Sequence, residues 1–273
     1  MVKRRLDTVL AERGLFPSRT RAAASVMAGE VRVGRGERRA AKPGELIDAE
    51  EVLAVSERPA FVSRGGIKLA NALDAFGLEI DGRRGLDVGA STGGFTDCLL
   101  QRGAREVIAL DVGYGLLDYG MRQDPRVQVL ERTNARKLQP AMLPAARLGA
   151  DEPPSLAVVD VSFISLAKVL GPVISCLTGE HDVLALVKPQ FEVGRGRVGK
   201  GGVVRDAAAR RDALVAAGEA ALALGESVVV YRSSGLPGPK GNRETFMWLA
   251  EGSREGALRD AAGLDALAME VEP

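Results

Sequence analysis

The sequence predicts an α/β protein in which a Rossmann-like, doubly wound sheet follows a small N-terminal α+β module. Three observations lead there. Beyond residue 65, short apolar runs alternate with helical patterns, as in a sheet covered by helices on both faces. One of those runs leads into the glycine-rich turn Gly89-Ala90-Ser91-Thr92-Gly93-Gly94, where a ligand can approach the backbone. Ahead of this body the charge is uneven. Residues 1–42 hold eleven Lys/Arg against four Asp/Glu, whereas the whole chain of 273 residues holds 37 against 36. A basic head on a mildly acidic body is the electrostatic footprint of a polyanion-binding module.

In the head, Leu6, Val9 and Leu10 share one helical face, and Gly14 ends that helix. Ser18 is placed to cap a second helix that buries Ala22, Ala23, Val26 and Met27 and stops at Gly29. Val31 and Val33 flank Arg32 in a short strand, followed by a Gly/Arg turn and the turn Lys42-Pro43-Gly44. These segments, with Arg5-Leu6-Asp7, Glu12-Arg13-Gly14-Leu15 and Ser18-Arg19, resemble the ribosomal S-four-type RNA-binding domain. The resemblance implies that residues 1–57 grip structured RNA, with Arg4, Arg19, Arg21 and Arg32 against phosphates. Such contacts give affinity rather than base choice.

Glu57-Arg58-Pro59-Ala60-Phe61-Val62 reads as an extended connector, because Pro59 disfavours helix at Arg58. The linker is therefore set at 58–64 and the body at 65–273. Leu69, Ala72, Leu73 and Phe76 give the first body helix its apolar face, and Gly77 ends it. Strands are expected at 86–89, 107–110, 127–130, 156–161, 183–187 and 227–231, with a last one near 243–249. Helices are expected at 93–102, 114–122, 165–177 and 206–224.

The glycine turn lacks both G-x-G-x-x-G spacing and a G-K-[ST] run, so neither a dinucleotide nor a nucleoside triphosphate is its natural ligand. Asp87 at the base of the turn, Gly89, Ser91, Gly93, Gly94 and Phe95 along it, and Asp111 ending the next strand suit S-adenosyl-L-methionine instead. That ligand has ribose hydroxyls for an acid to hold and no phosphate. Asn134, after the third strand, is placed for the adenine. Two cysteines 78 positions apart and one histidine, His181, exclude a conventional four-ligand zinc site and leave hydrolase chemistry little to work with. No apolar stretch approaches the ~18 residues of a membrane span, and no apolar signal core follows Met1.

Asp160 closes the apolar run Leu156-Ala157-Val158-Val159, and Lys188 closes Val183-Leu184-Ala185-Leu186-Val187. A lysine in that position must be partnered or functional, since burying it unpaired is costly. Lys68 starts the first body helix, and Glu244 stands at the entry to the last strand. Singly, these read as surface charges or a structural ion pair. Together they spell a Lys-Asp-Lys-Glu set. Their contexts are Arg64-Gly65-Gly66-Ile67-Lys68, Asp160-Val161-Ser162-Phe163-Ile164-Ser165, Val187-Lys188-Pro189-Gln190-Phe191-Glu192 and Gly238-Pro239-Lys240-Gly241-Asn242-Arg243-Glu244. With Asp111-Val112-Gly113-Tyr114-Gly115, they resemble the TlyA family, which joins an S-four-type domain to an FtsJ-like methyltransferase.

That resemblance implies a class I methyltransferase sheet. It implies methyl transfer from S-adenosyl-L-methionine to the 2′-hydroxyl of a cytidine in ribosomal RNA, within ribosomal subunits. It further implies a cytoplasmic enzyme with no metal and no membrane partner. Members were also called haemolysins, but the sequence offers no amphipathic membrane helix. Pro59-Ala60-Phe61 stands where some relatives carry a tryptophan motif. A start at the first helix resembles the shorter members, which act on large-subunit RNA alone.

Lys188 is expected to take or orient the hydroxyl proton, with Asp160 orienting Lys188, and with Lys68 and Glu244 completing the network and holding the ribose. Burial and a second cation favour a lysine's free amine, and carboxylates oppose it. Arg195, Arg197, Lys200 and Arg205, in a glycine-rich loop after Lys188, are placed for RNA phosphates, with a solvated loop as the plain alternative. Three other readings compete. A base methyltransferase is disfavoured because Asp160-Val161-Ser162-Phe163 is no Asn/Asp-Pro-Pro-aromatic run. The others are a ribosome assembly factor with a vestigial body, and a membrane-active toxin that liposome leakage would reveal.

Overall fold

The computed structural model describes residues 3–34, 38–55, 60–258 and 260–272. Its chain divides into two compact units, Met1–Pro59 and Ala60–Pro273.

In the first unit β1 (Lys3–Arg5) runs into α1 (Leu6–Glu12), followed by α2 (Arg19–Ala28), β2 (Val31–Val33), β3 (Arg38–Arg39), β4 (Leu46–Asp48) and β5 (Leu53–Val55). β1 pairs antiparallel with β4, and β2 lies between β3 and β5. Ser18 caps α2 by accepting from the Arg21 amide, and Gly29 ends it in the left-handed conformation. Leu6, Leu10, Ala22, Val26, Val31 and Ile47 close a small core. Met27, expected inside, is 74% exposed. The chain also does not open at the first helix, because Lys3–Arg5 form a strand before it. That strand, β4 and β5 escaped the sequence reading because Lys3–Arg5, Leu46–Asp48 and Leu53–Val55 lack the apolar–polar–apolar alternation that marks Val31–Val33.

The connector residues 56–59 and the Gly/Arg turn at 35–37 lie outside the described residues. Ala60 to Ser63, expected as linker, belong to the body. Phe61 packs against its core, the Val62 amide donates to Asp97 Oδ2 at 2.8 Å, and Gln101 Nε2 donates to the Ala60 carbonyl at 2.9 Å.

The body begins with α3 (Arg64–Phe76), β6 (Arg84–Val88), α4 (Gly94–Gln101), β7 (Glu106–Leu110), α5 (Tyr119–Gln123) and β8 (Val127–Leu130). It continues with β9 (Leu156–Val159), α6 (Leu170–Ile174), β10 (Asp182–Val187), α7 (Pro189–Glu192), α8 (Ala207–Leu222), β11 (Ser227–Ser233), β12 (Thr245–Ala250) and α9 (Leu264–Val271). One sheet takes the order β11-β12-β10-β9-β6-β7-β8. From β6 the chain steps outward through β7 and β8, then returns to place β9 on the other side of β6. That reversal opens a crevice at the carboxyl ends of β6 and β9, where open α/β sheets bind ligands.

β10 shows why the sequence read as a continuous apolar run. Val183, Ala185 and Val187 face a core shared with α6, α8 and α9, while Leu184 and Leu186 face one shared with α3 and α4. The sheet departs from the expected parallel pattern at β12, which runs antiparallel to both β10 and β11. The loop between β11 and β12 holds no crossover helix, so the chain can only double back. The helix expected over 165–177 is split into a 3-10 turn at Leu166–Lys168 and α6, where Pro172 has no amide to continue the ladder. The helix expected over 114–122 shrinks to α5, which Asp118 caps. α9 was not foreseen.

Candidate active site

The four residues of the Lys-Asp-Lys-Glu set converge on that crevice. Asp160 follows β9, Lys188 follows β10, and Glu244 precedes β12, whose reversed direction brings its start to the same edge of the sheet. Lys68 reaches them from α3. Lys188 Nζ forms an ion pair with Asp160 Oδ1 and donates to Ser162 Oγ at 3.0 Å. Lys68 Nζ pairs with Glu244 Oε2 at 2.5 Å. Lys68 is 7%, Lys188 9% and Glu244 2% exposed, so the Lys68–Glu244 pair is buried, while Asp160, with a side chain 25% exposed, opens the Lys188 pair to the cavity. Gly238 makes room for Glu244, since a Cβ there would fall 2.2 Å from Oε1. All four side chains line one cavity with Gly89, Ser91, Gly94 and Phe95.

The glycine turn does two jobs. Gly89 lines the crevice, but its φ of 88° and a hypothetical Cβ only 2.4 Å from the Asp160 carbonyl show that it also lets β6 approach β9. Gly94 and Gly66 interlock the amino ends of α4 and α3. A Cβ on Gly94 would lie 2.1 Å from Ser63 Oγ, and one on Gly66 would lie 2.3 Å from the Phe61 ring. Gly93 has a left-handed φ of 94°, and a Cβ there would meet Leu117 and Met121, so backbone and packing both call for glycine. Asp87 differs from expectation. It is fully buried in β6, where it accepts the Thr96 hydroxyl at 2.6 Å, and it does not line the crevice. Burial pushes its carboxyl up to about 7, against the opposing hydrogen bond from Thr96.

Past Gly89 and Ser91 the crevice continues into a cavity of about 560 Å³ lined by Asp111 and Asn134, among others. Asp111 Oδ2 accepts the Ser91 amide at 2.8 Å and Oδ1 the Gly113 amide at 2.7 Å, which fixes the carboxylate beside the glycine turn. Asn134 Oδ1 accepts the Arg136 amide at 3.0 Å. In the other direction, past Lys188 and Glu244, Phe163, Gln190, Phe191 and Lys240 line a further recess. Phe163 was quoted in the sequence only as context. It is 91% exposed, holds a left-handed backbone (φ 64°), and sets its ring 5.2 Å from that of Phe191. An exposed aromatic side chain on a strained backbone, three residues after Asp160, is a functional signal that hydropathy patterning discards.

Of the residues assigned to RNA, Arg4 pairs with Glu12 at 2.5 Å, and Arg19 lies 3.6 Å from the buried Asp7. Arg21 is exposed near the start of α2, and Arg32 points outward from β2. In the loop after α7, Arg197 pairs with Asp212 at 2.6 Å and Lys200 is exposed, and neither lines the crevice. The Arg195 side chain lies outside the described residues. Among the described residues no cluster of His, Cys, Asp or Glu is set to hold a metal ion, and no helix is long and apolar enough to cross a membrane.

Comparison with known families identifies residues 61–251 as FtsJ-like methyltransferase and residues 4–53 as S4 domain. The fold and crevice thus belong to an FtsJ-like methyltransferase preceded by an S4 RNA-binding domain. The chain is 49% identical to the 16S/23S rRNA (cytidine-2′-O)-methyltransferase TlyA of Mycobacterium tuberculosis, over 90% of this chain and 89% of that one. It is 39% identical to Hemolysin A of Brachyspira hyodysenteriae, over 88% and 97% of the two chains. A solved hemolysin-named protein from Streptococcus thermophilus superposes with a TM-score of 0.70 at 37% identity, covering 99% of this chain and 96% of the other. The chain is a member of the TlyA family.

Proposed function

We propose that this protein transfers a methyl group from S-adenosyl-L-methionine to the 2′-hydroxyl of a cytidine in ribosomal RNA, acting on ribosomal subunits in the cytoplasm. The observation that carries the reading is the two ion pairs, the part-buried Lys188–Asp160 and the buried Lys68–Glu244, at the midpoint of a continuous crevice. One arm has the features a nucleoside needs, and the other opens past an exposed aromatic ring.

The residues fit the cofactor. Asp111 would hold the ribose hydroxyls, since each carboxylate oxygen keeps a lone pair beyond the amide it accepts. Asn134 would meet the adenine. Ser91, Gly94 and Phe95 would line the path of the amino acid moiety, with Gly89 beneath it. When bound, S-adenosyl-L-methionine supplies the methyl group on an activated sulfonium. What remains for the protein is in-line positioning and one proton. Lys188, as its amine, takes the proton of the 2′-hydroxyl while the oxygen–methyl bond forms. The ammonium so created is the partner that Asp160 and Ser162 hold in the structure. Lys68 and Glu244 hold the ribose from the opposite wall. Phe163 offers a ring face to a base. The S4 unit supplies grip without chemistry.

The relative from M. tuberculosis is named for both 16S and 23S RNA, and the one from Campylobacter jejuni, at 34% identity, for 23S alone. Greater likeness to the first favours both subunits as substrates over the large subunit alone. Mapping ribose methylation on ribosomal RNA from cells with and without the gene tests the proposal. A cytidine that loses its 2′-O-methyl group supports it, and an unchanged map refutes it.

A further inference from the structure

A second pocket, of about 380 Å³, adjoins the crevice and is lined by Val203, Val204, Arg205, Arg210, Lys240, Gly241 and Arg243. Four of those side chains are cationic and none is acidic. Lys240 also lines the recess that holds Lys188 and Glu244, so the two spaces are neighbours. The pocket is built and not merely a patch. Asn242, 2% exposed, clamps its two walls by accepting the Val204 amide at 2.9 Å and donating to the Gly202 carbonyl at 2.8 Å. Beneath it lies the buried Arg210, which donates to the Arg205 carbonyl at 2.7 Å and to Glu272 Oε2 at 2.7 Å. Glu272 stands 3.5 Å from Arg243, which is 69% exposed. That single carboxylate is thus shared between two guanidinium groups. Among the described residues, the exposed side chains of Arg205 and Lys240 have no hydrogen-bond or ion-pair partner. Four cations that share one carboxylate repel one another, and an anion relieves that.

We infer that Arg205, Lys240 and Arg243, backed by Arg210, bind a phosphodiester of the substrate RNA next to the target nucleotide. This rests on the RNA-methyltransferase reading above and gives it a register. A backbone phosphate held beside the ribose pins the strand so that one 2′-hydroxyl faces Lys188. The pocket has no aromatic wall for a base, so its ligand is backbone.

The test uses the full-length protein with R205Q, K240Q and R243Q, singly and together. Arg147→Gln, an exposed cation at the opposite edge of the sheet beside Glu106, controls for net charge. Single-turnover methyl transfer to isolated ribosomal subunits gives the half-saturating enzyme concentration and the maximal rate over a salt series. Binding of a fluorescein-labelled oligocytidylate, read by anisotropy over the same series, needs no turnover. Each single variant should raise half-saturation roughly tenfold with the maximal rate intact, as loss of one charge-assisted contact does. The triple variant should flatten the salt dependence of both readouts by about 0.7 in log–log slope. Half-saturation and slopes like those of wild type or of Arg147→Gln would overturn the inference. So would a fall in maximal rate at unchanged half-saturation. If wild type methylates neither subunit, the RNA-methyltransferase reading fails by itself. Oligocytidylate binding then decides the pocket, with weaker, flatter binding by the triple variant supporting it and unchanged binding overturning it.

Discussion

Replacing Lys68 by Met leaves Glu244, only 2% exposed, as a carboxylate without its cation. Removing one partner of a buried pair typically costs ~3–5 kcal/mol, because the desolvated charge that remains is uncompensated. For a body of this size each kcal/mol lowers Tm by roughly 2–4 °C, so a fall on the order of 10 °C is expected. Glu244→Leu should cost about as much for the converse reason, leaving a buried ammonium. The double variant K68M/E244L replaces both charges by apolar groups, and such replacements are often neutral or even stabilising. Its stability should therefore return to within ~1–2 kcal/mol of wild type. Urea unfolding of all four proteins closes the cycle. Methyl transfer should be lost in all three variants, including the one that regains stability, because the pair also holds the ribose. Losses that simply add in the double variant would refute the coupling. A double variant with full activity would remove the pair from the site.

Three further outcomes follow from the geometry. Asp111→Ala should weaken S-adenosyl-L-methionine binding by roughly 10–100-fold in calorimetry with the fold intact, since it removes a charged acceptor from the ribose; unchanged affinity would free Asp111 from that role. Burial pulls the His181 imidazole down, but the Glu226 carboxylate at 2.9 Å, the Thr178 carbonyl and Glu251 outweigh it and raise its pKa above the ordinary 6.5. Its stabilisation is then fully present below about 6.5 and lost as pH rises through the elevated folded value, so the Tm gap between wild type and His181→Gln should be wider at about pH 6 than at about pH 9. Replacing Arg4, Arg19 and Arg21 together should weaken RNA binding and flatten its salt slope by ~0.7–0.9 per lost contact, while cofactor affinity stays constant. Among the single variants Arg21→Gln should weigh most, because Arg4 and Arg19 already have Glu12 and Asp7 beside them.

The elements that were legible in the sequence are those with long or punctuated patterns. Ser18 and Gly29 bound α2, and Gly77 ends α3 in the left-handed conformation. The unbroken apolar runs of β9 and β10 are strands buried on both faces, and the residues that end them, Asp160 and Lys188, face the crevice. The pairing of Lys188 with Asp160 was expected, since both close apolar strands, and the structure has it, but nothing in the spacing says that Lys68 meets Glu244, 176 positions away. The glycines are ambiguous in an instructive way. Gly93 was read as clearance for a ligand, and within the protein its neighbours are Leu117 and Met121. A glycine reports that a Cβ will not fit, and only the fold says what stands in its place. Phe163 and the gathering of Lys240 and Arg243 beside Arg205 were invisible for a related reason: an exposed aromatic and scattered cations have no period.

The central claim is that Lys188 meets the ribose hydroxyl and takes its proton. Single-turnover methylation of ribosomal subunits by Lys188→Arg, at saturating cofactor, tests it most directly. Arginine keeps the positive charge but cannot give up a proton near neutrality. The rate should fall nearly as far as in Lys188→Ala, by ~10²–10⁴-fold, with RNA and cofactor affinity little changed. Near-normal turnover by Lys188→Arg would mean that the site needs only a cation there, and would contradict the proton-transfer role.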